Sequence, residues 1–264
     1  MTKETLIVGY GKTGKNLEEE IKSLNPDIAD ISFTGHFKEK KYIKYDLIFI
    51  CVDTPYVDDK NPCDLSSIQD AILEYCTYLK YTGIFVIKST ILPGTIDELR
   101  SKHTGYRFVF SPMYKGGTIH CNNYDYDFTI IGGEEEDCIK VQQIIQSCYD
   151  GRHTFHLTDS RTAELAKYME NCFLAFKVSF CNQFFNISND HGVSYEKLRE
   201  LFILDPRIGS SHTFVYPDHP YWDSHCLTKD TAALVAAEDA PLLKALIEFN
   251  NNQIKMYKDK KIED

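Results

Sequence analysis

The sequence holds no apolar run long enough to cross a bilayer, and its first ten residues are too short and too polar ahead of the first glycines to serve as a signal peptide. A cytoplasmic protein with no membrane partner is therefore expected. Cys-x-x-Cys is absent, although there are nine cysteines, at 51, 63, 76, 121, 138, 148, 172, 181 and 226. Most lie inside apolar-patterned segments and read as small hydrophobes kept reduced, with one or two left for chemistry. Internal repeats and low-complexity stretches are missing too. So is any surplus of positive charge: 29 Lys and Arg stand against 39 Asp and Glu, a formal net charge of -10. That balance argues against a generic nucleic-acid or anionic-membrane partner, while leaving room for an anionic small molecule in a local cationic pocket. What is present, 43% hydrophobic and 26% charged residues, describes a globular protein of one large domain or two small ones.

The first half alternates strands with helices. Thr5-Leu6-Ile7-Val8 is a short apolar strand, followed by Gly9-Tyr10-Gly11-Lys12-Thr13-Gly14 and a helical pattern through Leu17 and Ile21. Strand, G-x-G-x-x-G and helix form the dinucleotide fingerprint, whose glycines allow a tight turn and let backbone approach a pyrophosphate seated on the helix N-terminus. The second strand is expected over 28–34, with Thr34, Gly35, His36 and Lys38 after it; Asp30 stands too early for a comfortable ribose ligand, so these residues do not secure NAD over NADP, and Lys38 leaves the phosphorylated cofactor open. Continuous apolar runs at 45–52 and 83–88 read as strands buried on both faces of a parallel sheet. Their ends, Thr54-Pro55 and Thr90, are placed to line a cofactor cleft at the carboxyl edge of that sheet. Further strands are expected at 107–110, 127–133 and 153–157. His153 and His156 fall on opposite faces of the last of these, which makes a metal pair unfavourable.

From Ser160 the pattern becomes helical, without proline or glycine from 162 to 191. A helix of that length is about 45 Å long, more than one small core covers. Its Phe173, Phe176, Phe180 and Phe184 are therefore expected to meet a second copy of the chain. Lys167 and Asn171, four apart, share one face and together could polarise a substrate oxygen and hold an oxyanion. Cys226 stands four residues before Asp230 and beside Lys229 at the mouth of another helix, where a thiolate is favoured. The expected architecture is α/β: a Rossmann-type parallel-sheet domain over 1–159, which binds NAD(P), followed by an all-α dimerisation domain over 160–264 built on the long helix. His212, His219, His225 and Cys226 match no common zinc spacing, so no metal is expected.

Val8-Gly9-Tyr10-Gly11, Ile50-Cys51-Val52-Asp53-Thr54-Pro55, Lys88-Ser89-Thr90 with Pro93-Gly94-Thr95, and Ser111-Pro112 recur in the first half. Ala163-Glu164-Leu165-Ala166-Lys167 with Asn171, Asp205 with Arg207-Ile208-Gly209, and Cys226-Leu227-Thr228-Lys229-Asp230 follow in the second. In this order and spacing they resemble the nucleotide-sugar (UDP-glucose/GDP-mannose) 6-dehydrogenase family over nearly the whole chain. The resemblance implies NAD-dependent oxidation of a nucleotide-sugar primary alcohol to the carboxylate, a step toward polysaccharide precursors. It implies that Cys226 is the nucleophile, that Lys167, Asp230 and a water remove the alcohol proton, that Lys167 and Asn171 hold oxyanions, and that Thr90 orders water. Lys229 would join the cofactor ligands and Tyr114 the substrate ligands, and Arg207 would reach the substrate of a neighbouring subunit.

Three features depart from the family pattern. Met113 stands where the family has a glutamate that assists thioester hydrolysis. The glycine-rich loop ahead of the cysteine is replaced by His219-Pro220-Tyr221-Trp222-Asp223-Ser224-His225. The chain also reads as a short form, without the C-terminal domain that completes the nucleotide site. These departures keep two other readings open: a single-step β-hydroxyacid-type dehydrogenase that needs no thiol, and a nucleotide-binding member without catalysis.

Overall fold

The computed structural model describes residues 5–30, 45–79, 81–114 and 126–263. The chain divides into two compact units, one of residues 1–57, 63–115 and 125–167, the other of residues 58–62, 116–124 and 168–264.

Among the described residues seven short strands form one sheet in the first unit: β1 (Thr5–Val8), β2 (Asp27–Ala29), β3 (Leu47–Ile50), β4 (Ile84–Ile87), β5 (Arg107–Phe110), β6 (Phe128–Gly133) and β7 (Thr154–Thr158). Their order is β2-β1-β3-β4-β5-β6-β7. All junctions are parallel except β5–β6, which is antiparallel with Phe110 opposite Gly132, so the sheet is a parallel Rossmann core extended by a reversed pair. Helices α1 (Lys12–Glu20), α2 (Ser66–Leu79), α3 (Thr95–Lys102) and α4 (Glu135–Ile145) connect them. The central strands are buried on both faces because side chains alternate into two separate cores. Ile48, Ile50, Phe85, Ile87 and Phe108 face one core with Ile68 and Ile72 of α2. Ile7, Leu47, Phe49, Val86 and Val109 face the other with Leu17 of α1 and Val141 of α4.

The second strand differs from the sequence reading. It spans Asp27–Ala29 and has ended by Asp30; Thr34, Gly35, His36 and Lys38 lie outside the described residues.

Helix α5 (Ser160–Asp190) begins in the first unit and continues into the second, which also contains α6 (Tyr195–Phe202), α7 (His225–Ala237) and α8 (Pro241–Glu263). The bulky loop before α7 has a structural use. Trp222 is buried against Ala175, Leu227 and Leu246. Its indole N–H donates to Ser179 Oγ at 2.8 Å, and Asn250 pairs with its backbone N–H and C=O at 2.9 and 2.8 Å. One side chain thereby pins the entry of α7 to α5 and α8, satisfying a ring nitrogen that burial would otherwise strand.

Candidate active site

In the first unit the glycine loop closes the turn from β1 to α1. Gly9 has φ +92°, and a Cβ there would lie 2.8 Å from the Cys51 carbonyl carbon. A Cβ on Gly14 would sit 2.1 Å from the Gly9 carbonyl oxygen, so only glycine lets α1 pack this close to the strand. Gly11 faces open space, leaving room for a pyrophosphate at the N-terminus of α1, where Lys12 and Thr13 form the first turn. The Tyr10 amide donates to Asp30 Oδ2 at 2.5 Å, and the Tyr10 hydroxyl donates to the Glu18 carboxylate.

Asp30 corrects the sequence reading. With β2 ending at Ala29, Asp30 stands at the carboxyl end of that strand and at the glycine loop, where a dinucleotide-binding fold holds an acid for the ribose hydroxyl. The open space at Gly11 and the acid beside the loop both fit NAD.

At the carboxyl ends of β3 and β4, the buried Thr54 donates from Oγ1 to the Thr90 carbonyl at 2.7 Å, and Pro55 follows it. The end of β5 carries Ser111-Pro112-Met113-Tyr114. Lys88 is buried and reaches Ser111 Oγ at 3.4 Å; burial lowers its pKa. Met113 lines a cavity of about 340 Å³ with Lys88, Tyr114 and Thr129. The Lys167 ammonium lies 4.5 Å from the centre of the Tyr114 ring, a cation–π contact that aims the lysine of α5 at the end of β5.

In the second unit the polar residues converge on one carboxylate. Asp230 is 1% exposed. Asn171 Nδ2 donates to its Oδ2 at 2.5 Å, and Lys229 Nζ to its Oδ1 at 2.5 Å. A buried aspartate so held has a donor on each oxygen and fixes both donors. Cys226 is exposed in the first turn of α7, one turn ahead of Asp230. The other described cysteines are buried or partly so, and burial pushes the Cys51 thiol up to about 12 and the Cys172 thiol up to about 11. Accessibility therefore singles out Cys226. Arg207 is 87% exposed and bound by Asp205, with Nε to Oδ1 at 3.0 Å and Nη2 to Oδ2 at 2.5 Å. Among the described residues no group of histidine, cysteine and acidic side chains could hold a metal ion, and no helix is long and apolar enough to cross a membrane.

The sequence reading also missed Glu164. Its carboxylate is buried and accepts from the Gly94 amide at 2.6 Å and the Ile96 amide at 2.9 Å. Nothing in the spacing of 94 and 164 points to this contact, because it is made by tertiary packing alone.

Comparison with known proteins identifies the assembly of these features. A model of the UDP-glucose/GDP-mannose dehydrogenase family, NAD binding domain, matches residues 15–151, and the model of that family's central domain matches residues 161–252. The chain belongs to this family. Over 255 residues it is 31% identical to the UDP-glucose 6-dehydrogenase YwqF of Bacillus subtilis (strain 168), covering 92% of this chain and 56% of that protein. A UDP-N-acetyl-D-mannosamine dehydrogenase of Methanocaldococcus jannaschii is 27% identical over 227 residues, covering 83% and 52%. The chain thus spans about half the length of these curated relatives. Among solved structures, a UDP-glucose dehydrogenase from the hyperthermophilic archaeon Pyrobaculum islandicum matches with TM-score 0.75 at 21% identity, over 95% of this chain and 68% of that one. The Mycobacterium tuberculosis 3-hydroxyisobutyrate dehydrogenase matches with TM-score 0.64 at 14% identity, over 94% and 92%. Both likenesses are of fold. Within the family's NAD binding domain lie Thr54, Pro55, Thr90 and Tyr114; within its central domain lie Lys167, Asn171, Arg207, Cys226, Lys229 and Asp230.

Proposed function

We propose that the chain oxidises the primary alcohol of a nucleotide sugar of the UDP-glucose or UDP-N-acetylmannosamine kind to the carboxylate through a thioester on Cys226. The observation that carries this reading is the polar cluster on α5 and α7: a buried Asp230 anchoring Asn171 and Lys229, with an exposed thiol one turn before it. The names of the relatives supply the substrate class.

The glycine loop holds the NAD pyrophosphate, Asp30 the adenosine ribose, and Thr54, Pro55 and Thr90 the wall of the cleft, with Lys229 contributing from the central domain. NAD would supply the hydride acceptor, one molecule for each of the two oxidations, with the first NADH exchanged for a fresh NAD at the same site. Lys167, Asp230 and a water take the alcohol proton in the first. The sulfur of Cys226 then forms a bond to the aldehyde carbon, and Lys167 and Asn171 hold the resulting oxyanion as donors to its developing charge. Loss of the second hydride leaves the thioester. Water ordered by Thr90 breaks the carbon–sulfur bond, releasing the carboxylate and the thiol. Tyr114 contacts substrate, and Arg207 reaches the substrate of a second copy. That copy docks through the stripe Met169, Phe173, Phe176, Phe180, Phe184 and Ile187 of α5, all exposed in the single chain.

Replacing Cys226 by serine tests the assignment. The variant should lose carboxylate formation by about a thousandfold or more, in line with removal of a covalent nucleophile, while NAD affinity is unchanged. Full turnover by Cys226→Ser would refute it.

A second reading, single-step oxidation of the β-hydroxyacid type, is favoured by Met113, which has no proton to give or take in thioester hydrolysis. The fold shared with the 3-hydroxyisobutyrate dehydrogenase is compatible with it. That reaction needs Lys167 and Asn171 but no thiol, so Cys226→Ser separates the two.

A further inference from the structure

Helix α3 begins without a cap of its own. Gly94, at its N-cap, has φ +93° and no side chain to offer the amides of the first turn. The missing acceptor comes from α5, where Glu164 takes the Gly94 and Ile96 N–H groups, one on each oxygen. Two further contacts run between the same turns: Ser160 Oγ to Asp97 Oδ1 at 3.3 Å and Arg161 Nε to Asp97 Oδ2 at 2.7 Å. Those are polar and partly exposed, whereas Glu164 is 0% exposed. On one side of the Glu164 contact the chain runs back four residues from Gly94 to Thr90, whose carbonyl is held by Thr54. On the other, Lys167 lies one helical turn further along α5.

Resting on the roles given above to Thr90 and Lys167, we infer that Glu164 is a positioning residue: as a carboxylate it fixes the loop that carries Thr90 against the helix that carries Lys167. A neutral side chain at this place keeps only part of the contact. A glutamine offers one carbonyl oxygen and turns its NH2 group toward the second backbone donor, and a protonated carboxyl weakens one of the two acceptors. Burial raises the Glu164 pKa to about 7, against the opposing pull of the two backbone N–H groups. The charged groups that face it are Asp97 on α3, which raises it, and Arg161 on its own helix, which lowers it. The carboxylate form, and with it the tie, is accordingly complete above neutral pH and declines as the pH falls through about 7.

The test uses the full chain, wild type and Glu164→Gln, with two readouts that do not require turnover: calorimetric NAD affinity and hydrogen exchange at the Gly94 and Ile96 amides, corrected for intrinsic pH dependence. At pH 8 the variant should exchange about tenfold faster at these two amides and bind NAD more weakly, while the amides of β4 keep their protection. Between pH 8 and pH 6 the wild type should drift toward the variant in both readouts, and the variant should stay flat. Equal affinity and equal exchange in the two proteins at pH 8, or the same pH dependence in both, would overturn the inference. If Glu164→Gln does not fold, the wild type alone decides: exchange at residues 94 and 96 must rise as the pH falls through 7, and a flat profile contradicts the role. Absence of sugar oxidation in a wild type that passes these tests would count against the proposed function and not against the tie.

Discussion

At the scale of single residues, Asp230 is the group to which the rest of its cluster answers. Its two oxygens each receive one donor, from Asn171 and from Lys229, in a place where water does not reach. Asn171→Ala removes one of them and leaves a buried carboxylate oxygen short of a partner. It should lower stability by about 1–3 kcal/mol in denaturant unfolding, beyond any effect on catalysis. An unchanged midpoint would mean that Asp230 is solvated in solution. Met113 makes the opposite kind of prediction, a gain. A carboxylate at this position would enter the cavity lined by Lys88 and Tyr114, where it could activate water for thioester hydrolysis. Met113→Glu should raise the steady-state rate of carboxylate formation by about tenfold or more if deacylation limits the natural chain. A rate that stays level or falls would show that another step limits turnover. The shared faces of Lys167 with Asn171 and of Cys226 with Asp230 were legible from helical spacing, whereas the contact of Asn171 with Asp230, made between two helices, was not. Nor were Asp30 and Glu164. The place of Asp30 at the glycine loop depended on where a three-residue strand stops, and the contact of Glu164 on two helices meeting from 70 residues apart.

At the scale of elements, the fixed points are where a helix starts and what covers its faces. The entry of α7 is set by Trp222, whose ring packs among Ala175, Leu227 and Leu246 and whose N–H is spent on Ser179. Trp222→Ala should cost about 3–5 kcal/mol by opening a large cavity and leaving the Ser179 hydroxyl without the indole N–H. Thermal unfolding reads this directly, and a loss below about 1 kcal/mol would mean that the loop is not anchored there. Helix α5 was legible almost to the residue because thirty positions without proline or glycine leave little alternative. Its exposed aromatic stripe followed from the same spacing. The strands were legible as apolar runs, but not the reversal between β5 and β6, since a run buried on both faces reads the same in either direction. The dimer proposed for the stripe has its own test. Phe180→Glu should convert a dimer to a monomer in sedimentation, because a carboxylate at the centre of an apolar interface is costly to bury. A wild type that sediments as a monomer at micromolar concentration would remove the proposal.

At the scale of the whole molecule, the chain carries the NAD binding and central domains of its family while spanning about half the length of its curated relatives. The two units each have a core of their own. The nucleotide loop, Thr90 and Lys167 belong to the first, while the thiol, Asn171 and Asp230 belong to the second. Under the proposed function, the thiol makes the reaction a four-electron oxidation. Counting reduced cofactor against substrate consumed tests it most directly, with purified chain, NAD and either UDP-glucose or UDP-N-acetylmannosamine in limiting amount. Two NADH for each sugar, with a uronate as product, is the expected result. One NADH for each sugar, with the reaction stopping at the carbonyl compound, would contradict it.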